Sequence, residues 1–213
     1  MHSQINIERL YQELSRQIGP SGWWPAESKP EIILGAILVQ NTSWNNVEKT
    51  LIQLKEVTDF QPQKILALTI DELQSLIRSS GFYKNKSRAI HETFKWFEKH
   101  QWDYSKIVQR YSTELSQELL TIHGVGEETA DVLLVYVFDQ VVFIADAYAR
   151  RLFSNLEERT YKNYSQLKRA VKLPQHFTSF DAQEFHGLID EFGKLYLKDE
   201  QKIDELREKT VGL

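Results

Sequence analysis

The residues of this chain best placed to do chemistry lie between Glu118 and Arg151, in the run ELLTIHGVGEETADVLLVYVFDQVVFIADAYARR. A helix ending at Ile122 is followed by His123, Gly124, Val125 and Gly126, where two residues without a Cβ allow the positive φ that a tight reversal needs. A second helix opens with Glu127 and Glu128, acids suited to the positive end of a helix dipole, and lines up Ala130, Leu133, Leu134, Val137 and Phe138 as an apolar face. Turn amides and a helix N-terminus together form an anion site of the kind that grips a phosphate. A tight αα-hairpin with no ligand satisfies the same spacing. Beyond the second helix stands Asp146, able to cap the helix AYARRL, with the basic pair Arg150 and Arg151 close behind.

These groups must be positioned by a scaffold, and its composition points to helices. The 213 residues suffice for one large domain or two small interlocked ones with a sizeable core. Apolar residues make up 41% and charged residues 26%, while nine glycines and five prolines are too few for a many-turned β fold. Ile7, Leu10, Tyr11, Leu14 and Ile18 recur at helical spacing before the Gly19-Pro20 stop. Ser43 can cap a helix buried through Val47, Leu51 and Leu54, and Thr69 with Glu72 forms a capping box ahead of Leu73, Leu76 and Ile77. Further helices are expected through Ile90, Phe94 and Phe97, and over STELSQELLTI. The β-like run VVFI at 141–144 has nothing to pair with and reads as an extended link, and KDEQKIDELREK as a solvent-facing helix or fraying tail.

Composition also excludes chemistry. Without cysteine there are no disulfides, thiol nucleophiles or thiolate-bound zinc or iron–sulfur clusters. The opening residues lack the basic and apolar regions of a secretory leader, and no apolar run approaches the roughly 18 residues of a membrane span, so a cytoplasmic location is expected. A net charge of -4 and a pI of 5.9 lack the footprint of a non-specific nucleic-acid binder. Any DNA-facing surface is therefore local. Lys84, Lys86 and Arg88 in GFYKNKSRA, with Arg150 and Arg151, could form one, or could be ordinary solvated charges.

The hairpin, the link after it and Asp146 resemble the helix-hairpin-helix, loop and aspartate signature of the endonuclease III superfamily of DNA glycosylases. The resemblance extends over nearly the whole chain. ILVQNTSWNNV is similar to the segment whose glutamine, here Gln40 with Asn41 beside it, enters the DNA stack, and SGFYKNKSRAI to a backbone-contacting loop bearing Tyr83, Lys84 and Lys86. WWP at 23–25 with Trp44 most resembles the 3-methyladenine DNA glycosylase III type. The resemblance implies an all-α, two-domain endonuclease III-like fold. In it a six-helix domain (22–140) containing the hairpin faces a second domain built from both termini (1–21 and 141–213) across an active-site cleft. It makes Asp146 the catalytic residue, a fixed carboxylate that stabilises oxocarbenium character on the sugar or orients the attacking water. His123, Gly124, Val125, Gly126, Thr129 and Arg150 become DNA contacts. Trp23, Trp24, Pro25, Trp44, Glu128 and Lys194 become the base pocket.

Three departures refine that expectation. Bifunctional relatives carry a lysine where this chain has Glu128, and a carboxylate cannot form the imine of a lyase step, so a monofunctional glycosylase is expected. The four cysteines of the family's iron–sulfur cluster fall at Leu197, Asp204, Arg207 and Leu213, so no cluster is expected and the tail should be held by packing through Leu195, Tyr196, Leu197 and Ile203. In FHGLIDEFGK, His186 and Lys194 match the closest type, but Leu188 stands where it has a lysine. The tryptophans, unless they are plain core residues, form a rigid slot for an extruded cationic base such as 3-methyladenine. The expected partner is double-stranded DNA containing damaged bases, met by a monomer that binds no membrane. The only ion anticipated is a monovalent cation on the hairpin carbonyls. The competing expectation is a non-catalytic helix-hairpin-helix protein that binds DNA damage without excising it.

Overall fold

The computed structural model describes residues 5–211; Leu213, the last of the former cluster positions, lies outside them. The described residues form an all-α structure of two compact units, Ala26–Phe138 and Met1–Pro25 with Asp139–Leu213. The first unit contains α2 (Lys29–Leu38), α3 (Trp44–Thr58), α4 (Pro62–Ala67), α5 (Ile70–Leu76), α6 (Tyr83–Lys99), α7 (Tyr104–Tyr111), α8 (Leu115–Leu120) and α9 (Glu127–Tyr136). Among the described residues that is eight α-helices, with short 3-10 turns at Arg78–Ser80 and Ser112–Glu114, where six helices are expected; Pro62 and the Thr69 capping box each start a short helix of their own. Ser43 occupies the N-cap position of α3 but makes no side-chain capping bond there.

α2 and α9 form the interior of this unit. α9 is buried at every residue from Thr129 to Tyr136, and so is α2 from Ile33 to Leu38. The single apolar face expected for α9 is therefore an understatement, since the helix is buried all round, Thr129 and Asp131 included. Around them pack Val47, Leu54, Ile90, Phe94 and Phe97.

The second unit contains α1 (Ile7–Ile18), α10 (Ala147–Leu156), α11 (Tyr164–Ala170), α12 (Ser179–Tyr196) and α13 (Glu200–Thr210). Leu10, Leu14, Phe153, Phe185, Leu188, Phe192 and Leu206 fill its core. The two ends of the chain meet in an isolated antiparallel bridge between Ile5 and Val211, with the Asn6 amide donating to Thr210 O at 2.8 Å. VVFI is an extended link that enters this core through Phe143.

The tail is docked rather than frayed, with Ile203, Leu206 and Thr210 of α13 buried. Its packing differs from expectation at Leu195, which is 61% exposed, whereas Tyr196 and Leu197 lie against the core. Arg207 supplies a polar tie instead, donating to Asn155 O on α10 and to Asp204, both at 2.7 Å. No helix of the described residues is long and apolar enough to cross a membrane.

Candidate active site

Asp146 ends the extended link and begins α10. Its Oδ1 accepts the Ala149 amide at 2.7 Å, so it caps the helix that orients it. The side chain is only 14% exposed. Burial pushes its pKa up to about 6, with the Asp190 charge adding to the rise and the backbone hydrogen bonds and Arg150 opposing it. Facing it, His186 Nε2 lies 3.9 Å from Oδ2, too far for a hydrogen bond. Burial drives that imidazole down to about 4, so it is neutral at physiological pH and the two do not form an ion pair.

His186, Asp190 and Lys194 succeed one another at four-residue spacing and so share one stripe of α12. Lys194 pairs with Asp190 and Glu191 and places its ammonium 4.7 Å from the centre of the Trp23 ring. Burial alone would lower the Lys194 pKa, but the two carboxylates outweigh it and keep the amine protonated. The segment bearing the tryptophans is anchored to the same helix. The Ser21 amide and hydroxyl both donate to Glu184 at 2.7 Å. A Cβ on Gly187 would come within 2.6 Å of Trp23, and one on Gly193 within 2.4 Å of the Tyr148 ring, so both glycines are needed for close approach. Trp24 is tilted against Trp23 at 5.4 Å, and Pro25 is exposed. Within this unit the structure thus brings together Asp146, Trp23, Trp24 and Lys194, and adds Asp190, which the sequence reading missed although its helical spacing from His186 and Lys194 was visible.

The other unit holds the hairpin. Gly124 turns at φ 81°, and a Cβ there would lie 2.5 Å from that of Ala89, so the turn is seated directly on α6. Gln40 Nε2 donates to Gly124 O at 3.0 Å and to Thr129 Oγ1 at 2.9 Å, fastening the end of α2 to the hairpin. His123, Gly124 and Gly126 are exposed, as are Asn41, Lys84, Arg88 and Glu128, while Tyr83 and Trp44 are half-buried.

Two expected DNA contacts are corrected. Val125 is buried and its amide is taken by Ile122 O at 3.1 Å. Lys86 is 2% exposed and donates to Leu38 O at 2.8 Å and Ser80 O at 2.6 Å, so it ties two helix ends together instead of meeting a phosphate. Phe82, absent from the expected set, stands 66% exposed at the head of α6 beside Tyr83.

Against this geometry stands the family match: residues 34–175 fit the HhH-GPD superfamily of base excision DNA repair proteins. The chain belongs to that superfamily. A relative from Methanocaldococcus jannaschii that carries the name of a DNA repair glycosylase is 36% identical over 90% of this chain and 89% of its own. The crystal structure of the Helicobacter pylori 3-methyladenine DNA glycosylase MagIII, bound to 1,N6-ethenoadenine, superposes with a TM-score of 0.72 at 26% identity, covering 88% of this chain and 95% of that one. A non-covalent endonuclease III–DNA complex shares the fold, with a TM-score of 0.70 at 21% identity over 91% and 87% of the two chains.

The residues present do not fit the iron–sulfur cluster that the resemblance implies. There is no cysteine to ligate it, and Asp204 and Arg207, at two of the four positions, are paired with each other. Among the described residues no cluster of His, Asp or Glu is arranged to hold a metal ion.

Proposed function

We propose that this DNA repair glycosylase of the HhH-GPD superfamily hydrolyses alkylated, 3-methyladenine-like bases from duplex DNA and has no lyase step. The observation that carries this reading is the Asp146 carboxylate, fixed by the N-terminus of α10 and withdrawn from solvent, with a pKa still low enough to be ionised at neutral pH. A fixed negative charge in a dry setting stabilises the positive sugar that develops as the N-glycosidic bond breaks. It can also orient the water that completes the hydrolysis. N-alkylated purines are already good leaving groups, so no strong general acid is required, which suits a site whose imidazole is neutral.

A lyase step needs an uncharged amine. Glu128 provides none, Lys194 is held protonated by Asp190 and Glu191, and Lys86 is spent on two carbonyls. The hairpin around Gly124 and Gly126 would grip a backbone phosphate, with Gln40, Asn41, Tyr83 and Lys84 nearby in sequence or space as further contacts, and a monovalent cation could join it. Within the unit that holds Asp146, Trp24 remains the better stacking surface for a cationic base, because one face of Trp23 already meets the Lys194 ammonium. The same reading has the enzyme working as a cytoplasmic monomer.

The test is incubation with duplexes carrying 3-methyladenine, 1,N6-ethenoadenine or uracil, followed by mass spectrometry of any free base. Release of the alkylated base without a borohydride-trapped protein–DNA adduct is expected. A trapped adduct overturns the monofunctional assignment, and salt-sensitive DNA binding with no base released from any lesion favours the damage-binding alternative.

A further inference from the structure

Between α10 and the C-terminal end of α12 lies a cavity of about 760 Å³, within the size range of small-molecule sites. Arg150, Arg151, Lys194 and Lys198 line it, and no aspartate or glutamate does. That is unusual in a chain whose net charge is -4. Several basic side chains elsewhere in the same unit are matched, as in Arg16 with Glu13, Lys202 with Glu205 and Arg207 with Asp204. Lys194 likewise has Asp190 and Glu191. Among the described residues, Arg150, Arg151 and Lys198 have no carboxylate at ion-pair distance. The Arg150 Nε is buried with no hydrogen-bond partner, although its charge is felt at Asp146.

Neutral donors complete the wall. Ser154 Oγ accepts the Tyr161 amide at 3.2 Å, which leaves its own proton for the cavity, and Asn155 lines it as well. Three unpaired cations around one concavity repel one another, and an occupant of matching negative charge relieves that repulsion. A single carboxylate would offset one of the three, whereas neighbouring phosphates offset all of them and suit the planar fork of arginine.

We propose that this cavity binds a phosphate-rich ligand, held by Arg150, Arg151 and Lys198. The phosphates could be those of a DNA strand, in which case the site extends the contacts of the glycosylase reading and rests on it, or those of a free polyphosphate or nucleotide, in which case it is independent of that reading. Arg151 and Lys198 are exposed, lie outside the set assigned to catalysis, and can be replaced together without disturbing the core.

The experiment compares the wild type with the Arg151→Gln/Lys198→Gln double variant in two measurements that need no lesion. In the first, thermal unfolding is followed with inorganic tripolyphosphate against sodium chloride of equal ionic strength. A free-phosphate site raises the wild-type Tm by roughly 5 °C at a hundredfold excess over Kd, and the double variant loses that rise. In the second, undamaged duplex binding is titrated across salt concentrations. A DNA-phosphate site gives no specific tripolyphosphate effect, but the slope of log K against log salt falls by about 1.8 in the double variant, as expected for two lost phosphate contacts. Equal tripolyphosphate responses in both proteins together with an unchanged salt slope overturn the proposal. Either outcome can occur whether or not the protein excises a base, so failure here is separable from failure of the glycosylase reading.

Discussion

Around Asp146, a carboxylate, an imidazole and a second carboxylate are withdrawn from water within one unit, with the Lys194 ammonium at their edge, and at Asp146 and His186 the proton affinity departs strongly from normal. The hairpin region of the other unit presents an exposed turn at His123, Gly124 and Gly126, flanked by exposed Lys84, Arg88 and Glu128, and one of its buried charges, Lys86, serves as a strut. The contrast separates two tasks. Changing a bond requires a charge kept out of water at a cost to the fold, whereas gripping a phosphate requires only amides held in a fixed turn.

The largest effect that sharpens this contrast is expected from Asp146→Asn. Asparagine still caps α10 but brings no negative charge, so single-turnover base release should fall by about 10³-fold. Stability should move the other way. The folded pKa of about 6 lies above the ordinary 3.8, so this group favours the fold at low pH and that contribution is lost as pH rises through 6. At pH 7 the ionised carboxylate therefore works against folding by at most about 3 kcal/mol, and calorimetry should show a higher Tm for the variant. A variant both inactive and less stable would mean that Asp146 is chiefly structural.

A smaller change, of about 2 to 3 kcal/mol, is expected for Gly124→Ala. The added methyl meets Ala89 and the backbone is left-handed, so denaturant titration should show lost stability and anisotropy weaker DNA binding. Smaller again is Lys86→Met, which leaves the carbonyls of Leu38 and Ser80 without their donor and loosens the segments that carry Gln40 and Tyr83. DNA affinity should drop about tenfold, or roughly 1.4 kcal/mol. Because the chain has no cysteine, Lys86→Cys can be aminoethylated at that one position, and recovery of binding would show that the ammonium is what matters. Undiminished binding by a folded Lys86→Met protein would remove the strut from the account.

Much of the scaffold was legible because its signals are local. The capping box at Thr69 and Glu72 and the helix at Ile7–Ile18 follow from spacing and caps alone. What escaped depends on neighbours distant in sequence. Lys86 reads as a surface cation because lysines are almost never buried, and only the convergence of Leu38 and Ser80 makes burial tolerable. Val125 reads as a turn contact until its amide is found closed onto Ile122. That Gly187 must admit Trp23, and Gly193 the Tyr148 ring, is a matter of helix packing that no single segment encodes. Leu188 reads as a lost functional position, whereas the structure places it in the apolar core of its unit.

The most direct test of the central claim is the pH dependence of single-turnover base release by the wild-type protein, corrected for spontaneous loss of the base. With the ionised Asp146 carboxylate as the working form, the rate should be level above pH 7 and fall about tenfold per unit below an inflection near 6, where the imidazole of His186, at about 4, does not titrate. A rate unchanged down to pH 4.5 in protein that remains folded would contradict it.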